Sequence, residues 1–381
     1  MEKLKVLHCY KTYYPETYGG IEQVIFQLSE AVTAKGGESM VFCVNNPEGE
    51  KVEPFHGHCV YRAKKSFEVA STPFSFEALQ KFSQLSKQFD IIHYHFPYPF
   101  MDMLHFSSNI NKPTIVSYHS DIIKQKTLMK LYNPLMKCFL NDVDKIVAAS
   151  PNYLKTSDVL QKYNKKVSII PYGIPDITKF ATNSIADLEI TEKFPLGYFL
   201  FVGSFRYYKG LHFLLEAMKG TDIPIVLLGA SGEEKKLKDF AKINGMNNIH
   251  FVGAKEDSIK YSYLSKAVGF VFPSHLRSEA FGISLVEAAC FNLPLICCEI
   301  GTGTSYININ DETGIVVDGG NVDQLKQAIV TLWNDPTKRA CYGGKARKRY
   351  EEIFTSEQMA SAYLDLYKEV IGQYKREHTE L

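Results

Sequence analysis

No apolar run in this 381-residue chain approaches the roughly 20 residues a helix needs to span a bilayer. A helical membrane protein is thereby excluded. The opening Met1-Glu-Lys leads directly into a short apolar run at 4–9, without the longer apolar stretch of a secretory signal. Charge of one sign is missing as well: 43 Lys and Arg stand against 42 Asp and Glu, for a net charge of +1. Net charge therefore gives no case for nucleic acid as a partner. The eight cysteines (Cys9, Cys43, Cys59, Cys138, Cys290, Cys297, Cys298 and Cys341) have no C-x-x-C spacing and lie mostly in apolar runs. They are expected to be buried free thiols in a reducing, cytoplasmic setting. No His/Cys/Asp cluster has the spacing of a structural metal site, and short repeats and low-complexity segments are absent.

What the chain does have is an ordinary globular composition, 45% hydrophobic and 22% charged, at a length that allows two cores. In its first half, strand-like runs at 4–9, 40–44, 90–95, 114–119, 145–150 and 166–171 alternate with helical patterns such as Ile21, Val24, Ile25 and Leu28. Pro171-Tyr-Gly-Ile-Pro and the polar stretch after it read as a linker. A second series begins at 198–203 and continues through 225–229, 249–253, 269–273, 295–298 and 314–317, with helical patterns at 322–333, 338–350 and 357–374. The expectation is an α/β protein of two doubly wound, Rossmann-like domains facing across a cleft, 1–172 and 173–354. Ligands of such sheets sit beyond the carboxyl ends of the strands.

The stretch 278–290, Ser-Glu-Ala-Phe-Gly-Ile-Ser-Leu-Val-Glu-Ala-Ala-Cys, follows the strand-like run 269–274 and carries Leu285, Val286 and Ala289 at helical spacing. Gly282 then lies at a strand-to-helix turn, where unpaired N–H groups and a partial positive charge favour an anion. Glu279 and Glu287 flank that start. Carboxylates accept hydrogen bonds from sugar hydroxyls while the N–H groups take phosphate oxygens, an arrangement suited to a nucleotide sugar. A buried helix with one solvated Glu at each end fits the spacing equally well.

Pro273-Ser274, Glu279-Ala-Phe-Gly-Ile-Ser and Glu287 together resemble the retaining nucleotide-sugar glycosyltransferases of the GT-B fold, glycosyltransferase family 4, and the resemblance covers nearly the whole chain. It implies that 355–381 forms a last helix crossing back to the first domain, that the first domain binds the acceptor and that the second holds the donor. Gly19-Gly20, with Glu22, matches a family Gly-Gly-x-Glu that meets the donor diphosphate or the acceptor. A G-x-G-x-x-G fingerprint is absent at that turn. His119, ending a strand-like run, matches a histidine on the donor sugar. His93 and His95, which share a strand face, are expected to pack or support.

The turn 203–210 carries Arg206 and Lys209, cations of the kind a departing nucleoside diphosphate requires. Lys209 matches the family in position; Arg206 is shifted by two, because Ser204 stands where the family has arginine. By resemblance Glu279 contacts sugar hydroxyls, Glu287 the ribose, the backbone of Phe281, Gly282, Ile283, Ser284 and Leu285 the sugar and phosphates, and Gly253 the base. Tyr172 replaces the asparagine of the family's Pro-Asn-Gly hinge. The loop 301–305 is a second candidate phosphate or acceptor loop. Asp142-Val-Asp144 has a D-x-D look but opens a strand at the wrong end for a ligand, and reads as structural.

The resemblance is strongest to bacterial O-antigen mannosyl- and rhamnosyltransferases, which implies GDP-mannose or GDP-rhamnose as donor and a polyprenyl-diphosphate-linked glycan as acceptor. No cofactor beyond the donor substrate is expected, and a metal is not required, since the cations are protein-borne. A UDP-sugar donor, a nucleotide-sugar epimerase, a glycan phosphorylase or a catalytically dead partner subunit of the same fold are the alternatives. The segment 121–141 sets Lys124, Lys126, Lys130 and Lys137 beside a rich apolar face, which suits either an anionic membrane surface or a core helix with a basic solvent face.

Overall fold

The computed structural model describes residues 3–17, 19–45, 52–122 and 126–379, the side chains of 126–128 and 379 excepted. The chain divides into two compact units. Met1–Ala149, Ser157–Gly173 and Ser356–Leu381 form the first; Ser150–Thr156 and Ile174–Thr355 form the second.

The first unit contains β1 (Lys5–Cys9), β2 (Glu38–Asn45), β3 (Val52–Phe55), β4 (His58–Lys64), β5 (Phe67–Val69), β6 (Thr72–Phe74), β7 (Ile91–Phe96), β8 (Thr114–Tyr118), β9 (Lys145–Ala148) and β10 (Val167–Ile169). Eight of these form one sheet in the order β10-β9-β8-β7-β1-β2-β4-β3. Neighbours pair in parallel, except that β3 folds back antiparallel on β4. Strands 5 and 6 make a separate hairpin. Every residue of β7 is buried, as a parallel strand covered on both faces requires.

The two faces of β7 carry different cargo. Tyr94 meets the apolar side, where Phe82 of the helix Phe76–Ser86 lies 6.2 Å away, ring to ring. His93 and His95, two residues apart, point to the opposite side. There the helix Ser356–Thr379 lays Tyr363 and Tyr367 over the sheet, both fully buried. The helix Gly20–Ala34 buries Val24, Ile25, Leu28 and Val32, the 3.6-residue stripe of a helix packed along one side.

The second unit contains β11 (Phe199–Val202), β12 (Ile225–Leu228), β13 (Ile249–Gly253), β14 (Gly269–Phe272), β15 (Leu295–Glu299) and β16 (Gly314–Asp318). They form a six-stranded parallel sheet in the order β13-β12-β11-β14-β15-β16. The order reverses between β11 and β14, so the loops after those two strands open on the crevice where doubly wound sheets bind ligands. The corresponding reversal in the first unit is between β1 and β7.

Residues 150–156 belong to the second unit although they precede the linker. Thr156 Oγ1 donates to the carbonyl of Gly301, Arg277 Nη1 donates to Thr156 Oγ1 at 2.5 Å, and Asn152 Nδ2 donates to Ser305 Oγ at 3.0 Å. The cysteines are free, but Cys138 and Cys341 are exposed rather than buried, on the helices Lys126–Asp142 and Pro336–Ile353. Lys124 lies outside the described residues, and so does the side chain of Lys126.

Candidate active site

The loop after β11 and the loop after β14 meet in the second unit. His275 N donates to the Tyr208 carbonyl at 3.0 Å. Gly210 has φ +69°, and a Cβ there would lie 2.0 Å from the carbonyl oxygen of Pro273. Only a residue without a side chain permits that approach. The contact brings Lys209 beneath Glu279: the ammonium donates to Glu279 Oε2, Ser274 Oγ donates to the same oxygen at 3.3 Å, and the ammonium sits 4.5 Å above the Phe272 ring. Both side chains of the ion pair are about nine-tenths buried, at 12% and 11% exposure. Charge is thus held in a largely desolvated place, where its action on an incoming ligand is weakly screened.

Glu279 leads into the helix Ile283–Cys290, whose N-cap Gly282 is left-handed at φ 99° and has no side-chain cap. Leu285 N–H turns back to the Gly282 carbonyl at 2.9 Å. The N–H groups of Ile283 and Ser284 have no acceptor among the described residues, and they are the helix-start donors an anion uses. Leu285 N–H is therefore unavailable to a phosphate in this arrangement, whereas its two predecessors remain open. Phe281 and Leu285 side chains are buried beneath the turn. Gly303 N donates to the Ala280 carbonyl at 2.9 Å, which sets the loop 301–305 against Phe281. Thr302 Oγ1 in that loop is buried without a partner among the described residues.

Glu287 is held by a residue the sequence reading did not single out. Lys260 donates to Glu287 Oε1 at 2.9 Å and pairs with Asp257 at 2.8 Å. Burial pulls the Lys260 ammonium down, but Glu287 and Asp257 outweigh it and hold the group above its usual range. Only a lysine one turn after an acid on an otherwise unremarked helix marked it. Gly253 ends β13 and takes Gly229 N–H on its carbonyl at 3.0 Å. Arg206 does not join the ion pair. Its side chain is exposed, makes no ion pair among the described residues, and lines a separate hollow of about 200 Å³ with Tyr207, His212, Glu233 and Lys236.

In the first unit, Gly19 is the extended N-cap of the helix Gly20–Ala34, again without a side-chain cap, and both glycines are exposed. Glu22 is buried beneath them, accepting from Thr17 Oγ1 at 2.7 Å and Thr12 Oγ1 at 3.2 Å. Arg62, nearly wholly buried, braces the same loop: Nη2 donates to the Tyr14 carbonyl at 2.5 Å and Nε to Glu16 at 2.6 Å. Asp144 accepts from Thr114 N at 2.6 Å and Thr114 Oγ1 at 3.1 Å, a staple at the start of β8.

His119 follows β8 and is one ring of a buried series. His8 Nδ1 and His95 Nε2 are 3.1 Å apart, His95 Nδ1 and His119 Nε2 3.0 Å, and His119 Nδ1 bonds the Tyr172 hydroxyl. His93 bonds Tyr367 and Ser117, each at 2.8 Å, and Ser117 bonds Tyr363 at 2.7 Å. Burial pulls His8 and His119 down to about 3, and His93 and His95 well below the ordinary histidine range, so all four rings are neutral. His8, His93 and His95 offer ring nitrogens within 4.8 Å of one another, a set that could take a transition ion. Both nitrogens of His93 and His95 bond protein partners while His8 Nε2 does not, and among the described residues no carboxylate is bonded to these rings to offset an ion's charge.

Against known proteins, residues 18–176 match the family model "Glycosyltransferase Family 4" and 186–349 match "Glycosyl transferases group 1". The chain is 48% identical over 355 residues to the D-rhamnosyltransferase WbpZ of Pseudomonas aeruginosa, with 93% of each chain covered. It belongs to the GT-B glycosyltransferases. The O-antigen chain mannosyltransferase C of Escherichia coli is 47% identical over 365 residues, covering 96% of this transferase and 98% of that one. Among solved structures, a sucrose-phosphate synthase from Thermosynechococcus elongatus superposes with a TM-score of 0.80 at 21% identity, over 97% of this transferase and all of that chain. The two Rossmann-like units are those of a GT-B enzyme.

Proposed function

We propose that this glycosyltransferase moves mannose or rhamnose from a GDP-sugar, with retention at the anomeric carbon, onto a polyprenyl-diphosphate-linked glycan in O-antigen assembly. The names of the two relatives at 47–48% identity support the sugar and the pathway. The observation that carries the donor site is the Lys209–Glu279 pair beside the uncapped start of the helix Ile283–Cys290. In this reading the N–H groups of Ile283 and Ser284 and the Lys209 ammonium take the diphosphate. Glu279 accepts from sugar hydroxyls and Glu287 from the ribose. The bond from C1 to the phosphate oxygen breaks as the acceptor hydroxyl oxygen bonds C1 on the same face. The hydroxyl proton passes to the departing phosphate, whose growing charge Lys209 stabilises. By the family resemblance His119 contacts the donor sugar, and the Gly19-Gly20 loop the donor diphosphate or the acceptor.

A contact of the first unit with an anionic membrane surface belongs to the same reading. Lys130, Leu131 and Lys137 are exposed on the helix Lys126–Asp142, Leu131 at 80%. Phe67 and Val69 of the β5–β6 hairpin and Phe76 beside it are exposed too, the mix of cations and apolar tips that such surfaces bind.

The deciding experiment incubates the protein with GDP-, UDP- and ADP-sugars, with and without a glycan on polyprenyl diphosphate, and follows nucleoside diphosphate release. Release of GDP from GDP-mannose or GDP-rhamnose only with acceptor is expected. Acceptor-independent formation of an epimer, or turnover confined to UDP- or ADP-sugars, overturns the assignment.

A further inference from the structure

The buried histidines pose a question of proton direction. A neutral imidazole has one N–H, so a ring that donates through one nitrogen must accept through the other. His8, His95, His119 and the Tyr172 hydroxyl are joined end to end, and one choice of direction therefore fixes every ring. Two states exist. In one, Tyr172 donates to His119, His119 to His95 and His95 to His8, which leaves His8 with its hydrogen on Nε2. In the other, His8 donates from Nδ1 to His95, His95 donates to His119, and His119 donates from Nδ1 to the tyrosine oxygen.

The end of the chain decides between them. His8 Nε2 is buried and has no partner among the described residues. A hydrogen there would be a buried N–H without an acceptor, a rarer kind of orphan in folded proteins than an under-satisfied acceptor, so the bare lone pair is favoured at that position. The side branch does not compete, because His93 bonds only the hydroxyls of Ser117 and Tyr367, and hydroxyl hydrogens rotate to suit.

We propose that Tyr172 is a positioning residue for His119: its hydroxyl oxygen, acting with His95, holds His119 as the Nδ1–H tautomer in a chain whose direction is set by the orphaned Nε2 of His8. The kinetic part of this rests on the donor-sugar role given to His119 above; the tautomer part does not. With its oxygen accepting from the ring, the Tyr172 hydroxyl turns its own hydrogen away from His119. The residue that stands in place of the family's asparagine is thus tied to a ring on β1 through two intervening imidazoles.

The test is long-range nitrogen–proton correlation on protein labelled with ¹⁵N-histidine at pH 8, with the His119 signals assigned by their loss in His119→Gln. The expected spectrum of the wild type shows His8, His95 and His119 all as Nδ1–H forms. An Nε2–H form at His119 or His8 overturns the proposal before any variant is made. In Tyr172→Phe the acceptor at one end is gone and the bias vanishes, so His8, two rings away, loses its pure Nδ1–H pattern. Donor KM should stay within about 3-fold of wild type while kcat falls by about 10- to 100-fold, the loss expected when a reacting group is misoriented. Unchanged His8 and His95 tautomers in Tyr172→Phe, or a kcat within about 2-fold of wild type, would sink the positioning role. If the wild type transfers from no donor, the proposed reaction falls and the nitrogen spectra alone judge the chain.

Discussion

The neutral histidines make a quantitative claim about acid. His8, His93, His95 and His119 are held neutral chiefly by burial, with mutual repulsion adding to it for His93 and His95, while in the unfolded chain each titrates near 6.5. Between pH 7.5 and 5.5 the unfolded chain takes up protons that the folded one refuses, so stability falls as pH falls. Each ring contributes about 1.4 kcal/mol over that interval, and four contribute about 5 kcal/mol. Asp102 works the other way. Its carboxyl is fully buried and held well above its ordinary value by burial, so it favours the folded state at low pH by at most about 2.7 kcal/mol over the same interval. These five groups together take about 3–5 kcal/mol from the first unit, and nearer 5 kcal/mol in Asp102→Asn; burial lowers His58 and His105 of the same unit too, which adds to the loss. That is a large share of a typical domain's 5–15 kcal/mol.

The assay is urea unfolding at pH 7.5 and 5.5, with hydrogen exchange read on peptides covering β1, β7 and β8. The single tryptophan, Trp333, lies in the second unit, on the helix Val322–Asn334. Its fluorescence follows the second unit, which holds none of these rings. A first-unit midpoint that is the same at both pH values would refute the reasoning.

Other expectations follow from the second unit and the basic helix. Glu279→Gln keeps the shape but strips Lys209 of its counter-charge; nucleoside diphosphate release should fall by at least about 100-fold with the circular dichroism unchanged, and wild-type turnover would remove Glu279 from the mechanism. Gly210→Ala places a Cβ against the Pro273 carbonyl at a left-handed φ and should lower stability by at least about 1 kcal/mol; an unmoved urea midpoint by Trp333 fluorescence would contradict the loop contact. Asp176 is gripped by Arg347 at 2.8 and 3.1 Å, and that partner holds its carboxyl well below the usual range. The stabilisation is full above about pH 4 and lost as the pH drops further, so Arg347→Met should flatten the acid limb of the second unit's stability profile, and a parallel profile would argue otherwise. Replacing Lys124, Lys126, Lys130 and Lys137 together with glutamine should weaken binding to phosphatidylserine vesicles at least 10-fold, at roughly 1 kcal/mol per cation; unchanged binding would dismiss the membrane contact.

Much of this architecture is written in local pattern. The runs that became β1, β2 and β7 to β16 are short, largely apolar and bounded by turn residues, the mark of strands in a parallel sheet. Strands 3 to 6 escaped notice because their residues alternate with polar and charged ones: β4 is His-Cys-Val-Tyr-Arg-Ala-Lys, and β3 carries Pro54 on the sheet's edge. Of the helix-like segment 121–141, residues 121 and 122 lie outside a helix, 123–125 lie outside the described residues, and a helix is described from Lys126 to Asp142. At the candidate site, Gly282, Glu279 and Lys209 were singled out by the family resemblance, because acids are common at helix starts and spacing alone fitted a buried helix with solvated ends equally well. Lys260, Arg62 and the Tyr172–His119 bond were not. Each depends on residues 27, 46 and 53 positions apart meeting in space, and nothing in local spacing encodes that.

The membership of Ser356–Thr379 in the first unit bears on the order of events during synthesis. The ribosome completes the second unit, through Thr355, while the imidazole-bearing side of the earlier sheet still lacks Tyr363 and Tyr367. The portion translated first is therefore finished last, and until then Tyr363 and Tyr367 do not cover its buried rings. A stop codon just before Ser356 would spare the later-made half and leave the earlier-made half permanently unfinished.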